Sequence, residues 1–352
     1  MTSYRVIDEA GASSAGGRAA TPGASGLRVP GKGRTAGGRP VRFTFDGKPF
    51  VGQAGDTLAS ALLANGVHLV GRSFKYHRPR GILSAGVEEP NALVGTDRGA
   101  GRFEPNTRAT VAEVFDGFRA ESQNRWPSLR TDVGAVNDSL YMLFSAGFYY
   151  KTFMWPKSFW KKVYEPVIRG AAGLGKAPSQ VDPDSYASRF AHCDVLVVGA
   201  GAAGLSAALT AARSGAKVIV ADEQAEAGGW LLSDPEARID GRPAWTWLSA
   251  TLAELSGLPN ATVLTRTTAT GYYHQNFVGL CQRLTDHRAE VPAGAPRERL
   301  WKVRAKQVVL ARAPSSGHWS SPATTDPVSC WQAPPAATST ATACASASGL
   351  LW

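Results

Sequence analysis

The stretch DVLVVGAGAAGLSAALTAARSGAKVIVADEQ, residues 194–224, decides the fold of much of this chain. Residues 194–198 form a short apolar run, which is typical of a strand buried on both faces. A glycine-rich turn follows without a spacer, then a helical pattern over about 203–214 and a second apolar run over 217–221. This order of strand, turn, helix and strand predicts a parallel βαβ unit.

The turn itself has the spacing G-x-G-x-x-G, with Gly199, Gly201 and Gly204 at the three fixed positions. In this motif the first glycine allows the tight turn, the second leaves room for a pyrophosphate, and the third lets the helix pack closely on the strand. The helix would direct free N–H groups, including those of Ala202 and Ala203, at the phosphates. We therefore interpret the turn as a dinucleotide site. The alternative is a βαβ unit with an empty turn.

An acidic pair ends the second strand, about 20 residues beyond the glycines. Asp222, with Glu223 beside it, is placed to bond the hydroxyls of the adenosine ribose. A 2′-phosphate would be repelled by this carboxylate and no arginine follows directly, so the sequence disfavours NADP. Gly228 and Gly229 extend the pattern, and this extension resembles flavoproteins with two dinucleotide-binding domains.

Composition limits the other classes of function. The chain has 352 residues, 43% of them hydrophobic, and a net charge of +10, which is enough for more than one globular domain. Its basic residues are scattered along the chain, so we expect no nucleic-acid partner. The four cysteines show no C-x-x-C spacing, which argues against a metal site or a disulfide framework. No secretory signal or membrane span is recognisable, and we predict a cytoplasmic protein.

An ordered domain is predicted to begin at Val41, after a Gly-, Ala- and Arg-rich tail. Residues 41–45 alternate apolar and polar, Asp46-Gly47 is a hairpin turn, and residues 48–52 return. Asp56 is then a candidate N-cap for a helix over 57–65. This ββα opening resembles the β-grasp fold of plant-type [2Fe–2S] ferredoxins.

The cluster that this resemblance implies lacks its ligands. Such a cluster needs four thiolates around two irons. The resemblance aligns the four ligand positions with Ser84, Glu89, Ala92 and Thr110, none of which is a cysteine. We expect no iron-sulfur cluster in this domain, and we predict a structural or interaction role for it.

Two aromatic segments lie outside the nucleotide unit. The segment RSFKYHRPRGI, residues 72–82, is basic and aromatic. One interpretation is a loop that binds phosphate or single-stranded nucleic acid. The other is a loop whose aromatic side chains pack on the domain. We favour the packed loop, with His77 hydrogen-bonded rather than catalytic. FYYKTFMWP, residues 148–156, indicates packing in a core or subunit interface.

Four features of the chain together resemble the α subunit of heterotetrameric sarcosine oxidase, over about residues 41–310. They are these two segments, the cysteine-free ferredoxin-like domain and the DEQ at residues 222–224. Opine oxidases and hydrogen cyanide synthase are close relatives of that family. The resemblance implies an NAD-binding subunit of an enzyme that oxidatively demethylates sarcosine, with FAD in the β subunit and FMN at the α–β interface. It implies β-, γ- and δ-type subunits as partners. It also makes Gln224 and Trp230 neighbours of the nucleotide and turns the backbone of Ala269 toward the adenine.

The predicted fold is α/β and α+β, with several domains. A disordered tail over 1–40 precedes the cluster-less β-grasp ferredoxin-like domain over 41–120, and a connector over 121–190 leads to an incomplete Rossmann-like dinucleotide-binding domain over 191–311. After Ala311 the composition changes to mostly Ala, Ser, Thr and Pro where the family has a Thr-Gly turn. We predict a disordered or frameshifted tail over 312–352, and hence a truncated subunit.

No catalytic residue stands out in this sequence, because the histidines are scattered and no acid/base pair is apparent. We therefore expect the isolated chain to be inactive toward sarcosine. Two alternatives stay open, a non-catalytic dinucleotide-binding scaffold protein and a stand-alone FAD-dependent oxidoreductase. The second would need a substrate domain or a second nucleotide domain after residue 311.

Overall fold

The computed structural model describes most of the chain from the end of the N-terminal tail to Ala311, namely residues 27–29, 33–35, 37–142, 147, 155–170 and 173–311. The predicted tail over 312–352, most of the predicted tail over 1–40 and most of the aromatic segment 148–156 lie outside these residues. Two α/β units are built on separate sheets.

The first unit is a five-stranded mixed sheet with one helix packed on it. Its strands are β1 (Pro40–Phe45), β2 (Lys48–Gln53), β5 (Leu93–Asp97), β6 (Phe103–Arg108) and β7 (Phe118–Ser122), in the spatial order β2-β1-β7-β5-β6. β1 and β7 are parallel and the other pairs are antiparallel. The short strands β3 (Gly71–Arg72) and β4 (Pro79–Arg80) form a separate ladder. The predicted hairpin over 41–52 is confirmed.

Helix α1 (Leu58–Ala64) buries its apolar face against β1 and β2, where Leu58 and Leu62 pack near Phe43. Its N-cap differs from the prediction. Thr57 caps the helix, since its hydroxyl accepts from the N–H of Ser60 at 3.2 Å. Asp56 is buried one residue earlier and accepts instead from the N–H of Gln53 and the hydroxyl of Ser60.

The second unit is a six-stranded sheet in the order β12-β9-β8-β15-β14-β13. Its strands are β8 (Tyr186–Val198), β9 (Val218–Ala221), β12 (Ala261–Leu264), β13 (Thr267–Tyr273), β14 (Phe277–Arg283) and β15 (Glu298–Leu310). Strands β12, β9, β8 and β15 are parallel, and β13, β14 and β15 form an antiparallel meander. The short strands β10 (Arg238–Ile239) and β11 (Arg242–Pro243) form a separate ladder.

Both faces of the parallel strands are covered, as parallel sheets require. One face packs on two helices, α4 (Ala202–Arg213) and α5 (Ala244–Gly257), through a core that includes Val197, Leu205 and Leu248. The other face packs on the meander through a core that includes Leu196, Leu280 and Trp301. The sheet order and the βαβ unit agree with the predicted Rossmann-like arrangement.

The connector between the units has little regular structure among its described residues. It contains the short helices α2 (Val136–Ser139) and α3 (Glu165–Gly170). Trp155 and Phe159 are exposed, so the predicted packing of this aromatic region stays a prediction. No helix in the described ranges has both the length and the apolar character needed to cross a membrane.

Strand β8 begins at Tyr186, five residues before the predicted start of the second domain at 191. Sequence reasoning took 186–190 for connector because these residues lack the apolar run of 194–198. Their strand conformation comes from parallel pairing with residues 298–302 of β15, far along the chain.

Candidate dinucleotide-binding site

The glycine turn lies at the carboxyl end of β8, where ligands bind in open α/β sheets. Gly199 has φ of 103°, which favours glycine, and its N–H donates to the carbonyl of Ala221 at 2.8 Å. A Cβ on Gly204 would lie 1.9 Å from the carbonyl oxygen of Gly199, so only glycine lets the helix approach this closely. A Cβ on Gly201 would meet no heavy atom within 4 Å. The space expected for a pyrophosphate is therefore open beside Gly201.

Helix α4 points its N-terminus at this space. It begins at Ala202, one residue earlier than predicted, with Gly201 as an N-cap that has no side chain to satisfy the first amides. The first N–H groups of a helix lack intrahelical partners and carry its positive dipole end. The amides of Ala202 and Ala203 are thus positioned as the sequence indicated.

Asp222 follows β9 directly and is 9% exposed. Its Oδ2 accepts from the N–H of Ala200 at 2.6 Å and its Oδ1 from the N–H of Gln224 at 2.9 Å. The carboxylate therefore holds the glycine turn in place, a role that sequence reasoning missed. Each carboxylate oxygen has more than one lone pair, so a ribose hydroxyl can still bond to it.

The two glycines after Asp222 pack against the turn. Gly228 has φ of 135° and donates its N–H to the carbonyl of Ala200 at 2.8 Å. A Cβ on Gly229 would lie 3.2 Å from the Cα of Gly201. Trp230, next in the chain, is about half exposed. The extension beyond Asp222 is thus part of the same site.

Strand β13 starts beside the acidic segment. The N–H of Thr267 donates to the carbonyl of Asp222, and that of Arg266 to the carbonyl of Gln224, both at 2.7 Å. A guanidinium N–H of Arg283 donates to the carbonyl of Glu223 at 3.0 Å. Ala269 is exposed two residues further along β13. All the residues predicted to bind the nucleotide therefore lie on adjoining segments at one end of the sheet.

The positions aligned with cluster ligands also come together, around a carboxylate rather than a metal site. Glu89 is 1% exposed. Its Oε2 accepts from the N–H groups of Leu83 and Ser84 at 2.7 and 2.6 Å, and its Oε1 from those of Asn91 and Ala92 at 2.7 and 3.1 Å. Thr110 donates its hydroxyl to the carbonyl of Gly86 at 2.7 Å.

These residues do not fit a [2Fe–2S] cluster. The cluster is held by four thiolates, whereas the aligned positions supply no thiol, and the Glu89 carboxylate already accepts four backbone hydrogen bonds. Elsewhere in the described part of the chain, no group of three or more His, Cys, Asp or Glu is arranged to hold a metal ion.

The basic loop over 72–82 is tied to residues 129–132, which follow β7 and were predicted as connector, although Leu129 packs into the core of the first unit. The Nδ1 of His77 lies 2.6 Å from Oδ2 of Asp132, which is buried. Arg72 donates to the carbonyls of Leu129 and His77, each at 2.9 Å. The charged ends of Lys75 and Arg78 lie 4.8 and 4.9 Å from the centre of the Tyr76 ring. These contacts agree with the packed loop that we favoured.

Ion pairs join the two units, and none of them was predicted. Arg266 bonds Glu113 through two contacts of 2.6 Å, Arg98 lies 2.5 Å from Asp286, and Arg297 pairs with Glu104. Arg102 also lies 2.7 Å from Asp184, just before β8. No signal in the sequence identifies these partners, because they are far apart in the chain.

Two segments match known protein families. Residues 38–125 match the family described as 2Fe-2S iron-sulfur cluster binding domain, and residues 194–294 match that described as FAD dependent oxidoreductase. A ferredoxin-like domain is therefore followed by an FAD-dependent oxidoreductase domain.

Whole-chain comparisons identify longer relatives. The chain is 57% identical over 287 residues to sarcosine oxidase subunit alpha of Rhizobium meliloti (strain 1021), covering 82% of this chain and 29% of that protein. It is 40% identical over 276 residues to sarcosine oxidase subunit alpha of Corynebacterium sp. (strain P-1), covering 78% and 24%. Among solved structures, L-proline dehydrogenase from P. horikoshii is 17% identical with a TM-score of 0.47, covering 80% of this chain and 42% of that one, a likeness too weak to bear on function. The chain spans less than a third of the two curated relatives.

Proposed function

We propose that residues 186–311 bind an adenine dinucleotide within an oxidoreductase subunit of the sarcosine oxidase α type. The chain is homologous to such subunits, as its motifs predicted. The observation that carries this proposal is the open space beside Gly201, which the N-terminus of α4 faces and the Asp222 segment borders. Free amides at a helix N-terminus favour a pyrophosphate. The amides of Ala202 and Ala203 would hold it.

The ribose and adenine would lie beyond the pyrophosphate, along the acidic segment. Asp222, with Glu223, would accept from the adenosine ribose, and the backbone of Ala269 on β13 would face the adenine. Gln224 and Trp230 would lie alongside. The carboxylate of Asp222 disfavours a 2′-phosphate, which supports NAD over NADP.

NAD is our first candidate for this site and FAD is the second. NAD rests on the resemblance to sarcosine oxidase α subunits, whereas FAD is supported by the family match over residues 194–294. Both ligands share the ADP half that the glycine turn would hold, so the turn does not separate them. Calorimetric titration of the purified chain with NAD⁺, NADP⁺ and FAD does. Saturable binding of none of the three would contradict the proposal.

Asp222→Ala tests the ribose contact directly. We expect the dinucleotide to bind more weakly by about 1.5–3 kcal/mol, the range for a hydrogen bond to a charged group. Glu254→Gln is the control, because Glu254 pairs with Arg213 at the far end of α4. Calorimetry measures the affinity, and thermal unfolding shows how much of the effect comes from loss of the acceptor for Ala200. Equal affinities of Asp222→Ala and the parent would remove Asp222 from the site.

The reaction that we propose for the assembled enzyme is the oxidative demethylation of sarcosine. A bound flavin would supply the electron-accepting chemistry of amine oxidation. By resemblance FAD belongs to a β-type subunit and FMN to its interface with this one, with γ- and δ-type subunits completing the assembly. This chain's own residues would bind and orient its dinucleotide.

Turnover with and without a β-type partner separates the candidate functions. We expect hydrogen peroxide from sarcosine when the chain is co-expressed with the partner, and none from the chain alone. Peroxide production by the isolated chain, in proportion to its concentration, would favour a stand-alone FAD-dependent oxidoreductase. Dinucleotide binding without turnover in either preparation would favour a non-catalytic scaffold.

A further inference from the structure

The acidic segment at residues 222–224 is held by its neighbours at every residue. The carbonyls of Asp222 and Gln224 accept from the N–H groups of Thr267 and Arg266, both at 2.7 Å. The carbonyl of Glu223 accepts from the side chain of Arg283. The N–H of Arg283 in turn donates to the carbonyl of Arg266 at 3.0 Å. Arg266 is therefore at the centre of the contacts that place this segment beside the glycine turn.

Arg266 itself has an unusual backbone conformation. Its φ is 51°, in the left-handed region that residues other than glycine seldom adopt. Such a conformation persists only when surrounding contacts hold it. The strongest side-chain contact comes from the other unit, since Nε and Nη2 of Arg266 each lie 2.6 Å from an oxygen of Glu113.

Glu113 lies on a segment that packs into the core of the ferredoxin-like domain. It forms an antiparallel bridge with Thr57, the N-cap residue of α1. Its neighbours Ala112 and Val114 are both buried in the core. The two-point contact of a carboxylate with a guanidinium fixes both position and angle. Glu113 can therefore transmit the orientation of one domain to the backbone of Arg266 in the other.

We propose that Glu113 is a positioning residue for the dinucleotide, which it affects through Arg266 and the backbone of residues 222–224. The cluster-less ferredoxin-like domain thereby supports the nucleotide site of the neighbouring domain. This inference rests on the proposed function, because it assumes that residues 222–224 border the nucleotide.

Glu113→Gln in the full chain tests the proposal. The substitution removes the charge and one of the two acceptors but keeps the shape of the side chain. We expect the dissociation constant of the dinucleotide that the parent binds to rise about tenfold, within the usual range for coupling between two sites. We also expect faster hydrogen exchange at the amides of residues 266–267 without any nucleotide.

Glu104→Gln is the matched control. Glu104 belongs to the same domain and also pairs with an arginine of the other unit, Arg297, but not with Arg266. Its substitution should leave the dissociation constant and the exchange at residues 266–267 within twofold of the parent. A double variant that exchanges the two charges, Glu113→Arg with Arg266→Glu, should recover at least half of the affinity for the dinucleotide that Glu113→Gln loses.

Two outcomes would overturn the proposal. One is a dissociation constant for Glu113→Gln equal to that of the parent. The other is an equal loss in Glu113→Gln and Glu104→Gln, which would mean that domain docking in general supports the site. If the parent binds no dinucleotide, the proposed function is contradicted instead. In that case hydrogen exchange alone tests the positioning role, and unchanged exchange at residues 266–267 in Glu113→Gln would overturn it.

Discussion

Gly201 and Gly204 lie three residues apart in one turn, but different requirements keep them glycine. At Gly204 a methyl group would collide with the carbonyl of Gly199 at 1.9 Å, so the requirement is the packing of α4 on the sheet. At Gly201 the backbone is extended, with φ of −76°, and a methyl group would meet no heavy atom within 4 Å. The protein alone would tolerate a methyl group there, so under the proposed function the glycine serves the pyrophosphate rather than the fold.

Alanine substitutions should separate these two requirements. We expect Gly204→Ala to lower the free energy of unfolding by about 1–3 kcal/mol or more. The backbone must move to relieve the overlap between the new methyl group and the carbonyl of Gly199. Gly201→Ala should unfold like the parent but bind the dinucleotide at least about tenfold more weakly, a loss of about 1.4 kcal/mol. Thermal unfolding and calorimetry measure the two effects.

Gly257→Ala is the control, since a Cβ at the end of α5 also meets nothing within 4 Å. It should leave the affinity for the dinucleotide unchanged and should not destabilise the fold, because alanine is the better helix former. Parent-like affinity in Gly201→Ala would place the pyrophosphate elsewhere.

The loop over residues 83–92 shows how a whole element is organised by one buried charge. Four backbone N–H groups converge on Glu89, at the place that the resemblance to ferredoxins assigns to a cluster. Acceptors are needed there because buried amides without acceptors are costly. The carboxylate satisfies all four amides and also fixes the path of the loop between β4 and β5.

Glu89→Gln should therefore destabilise the ferredoxin-like domain. An amide group accepts at only one end and would bring its NH₂ against two backbone donors, so we expect a loss of about 1.5–3 kcal/mol in the free energy of unfolding. Glu88→Gln, at the neighbouring residue, is the control and should have little effect. Urea denaturation monitored by tryptophan fluorescence measures both. A Glu89→Gln variant as stable as the parent would refute the role of the charge.

The absence of an iron-sulfur cluster from this loop remains a prediction. Residues 38–125 match the family described as 2Fe-2S iron-sulfur cluster binding domain, so the prediction needs a direct test. We expect the purified chain to contain neither iron nor acid-labile sulfide and to show no charge-transfer absorption. Stoichiometric iron and sulfide would contradict both the alignment of Ser84, Glu89, Ala92 and Thr110 with ligand positions and the carboxylate-centred loop.

At the scale of the molecule, charged residues join the two units and enclose a small polar cavity. His287 lines this cavity together with Arg266, Glu113, Asp286 and Arg98. Its Nε2 accepts from Nε of Arg288 at 3.5 Å, whereas its Nδ1 is buried and has no partner among the described residues. Burial, followed by the charge of Arg266, lowers the pKa of His287 below its ordinary value of 6.5.

The stability of the chain should consequently fall in mild acid. Well above pH 6.5 His287 is neutral in both the folded and the unfolded state. As the pH falls through 6.5, the unfolded chain takes up a proton that the folded chain resists, so unfolding is favoured until the depressed folded pKa is reached. We expect the melting temperature of the parent to drop more between pH 7.5 and pH 5.5 than that of His287→Gln.

His192→Gln, at an exposed histidine on β8, is the control for this experiment. It should show the same dependence on pH as the parent. If the melting temperatures of the parent and His287→Gln fall equally between pH 7.5 and pH 5.5, His287 in the cavity does not cause the loss of stability in mild acid.

Elements whose patterns are local could be predicted from the sequence. The hairpin over 41–52, the carboxyl end of strand β8 with its glycine turn, helix α4 and strand β9 were all predicted within one residue, because periodicity and glycine spacing act over a few turns of chain. The resemblance to sarcosine oxidase α subunits came from short motifs of the same kind and is confirmed. The predicted cofactor residues also lie at one end of the sheet, since parallel strands bring their carboxyl ends together.

Tertiary structure alone decided which partners the polar residues take. Asp222 bonds the amide of Ala200, Glu89 gathers four amides, and Glu113 meets Arg266 across 153 positions of the chain. Strand β8 extends back to Tyr186 only because β15 pairs with it. Hydrogen bonds and ion pairs of this kind form wherever folding brings a donor to an acceptor, and no local pattern of residues specifies that meeting.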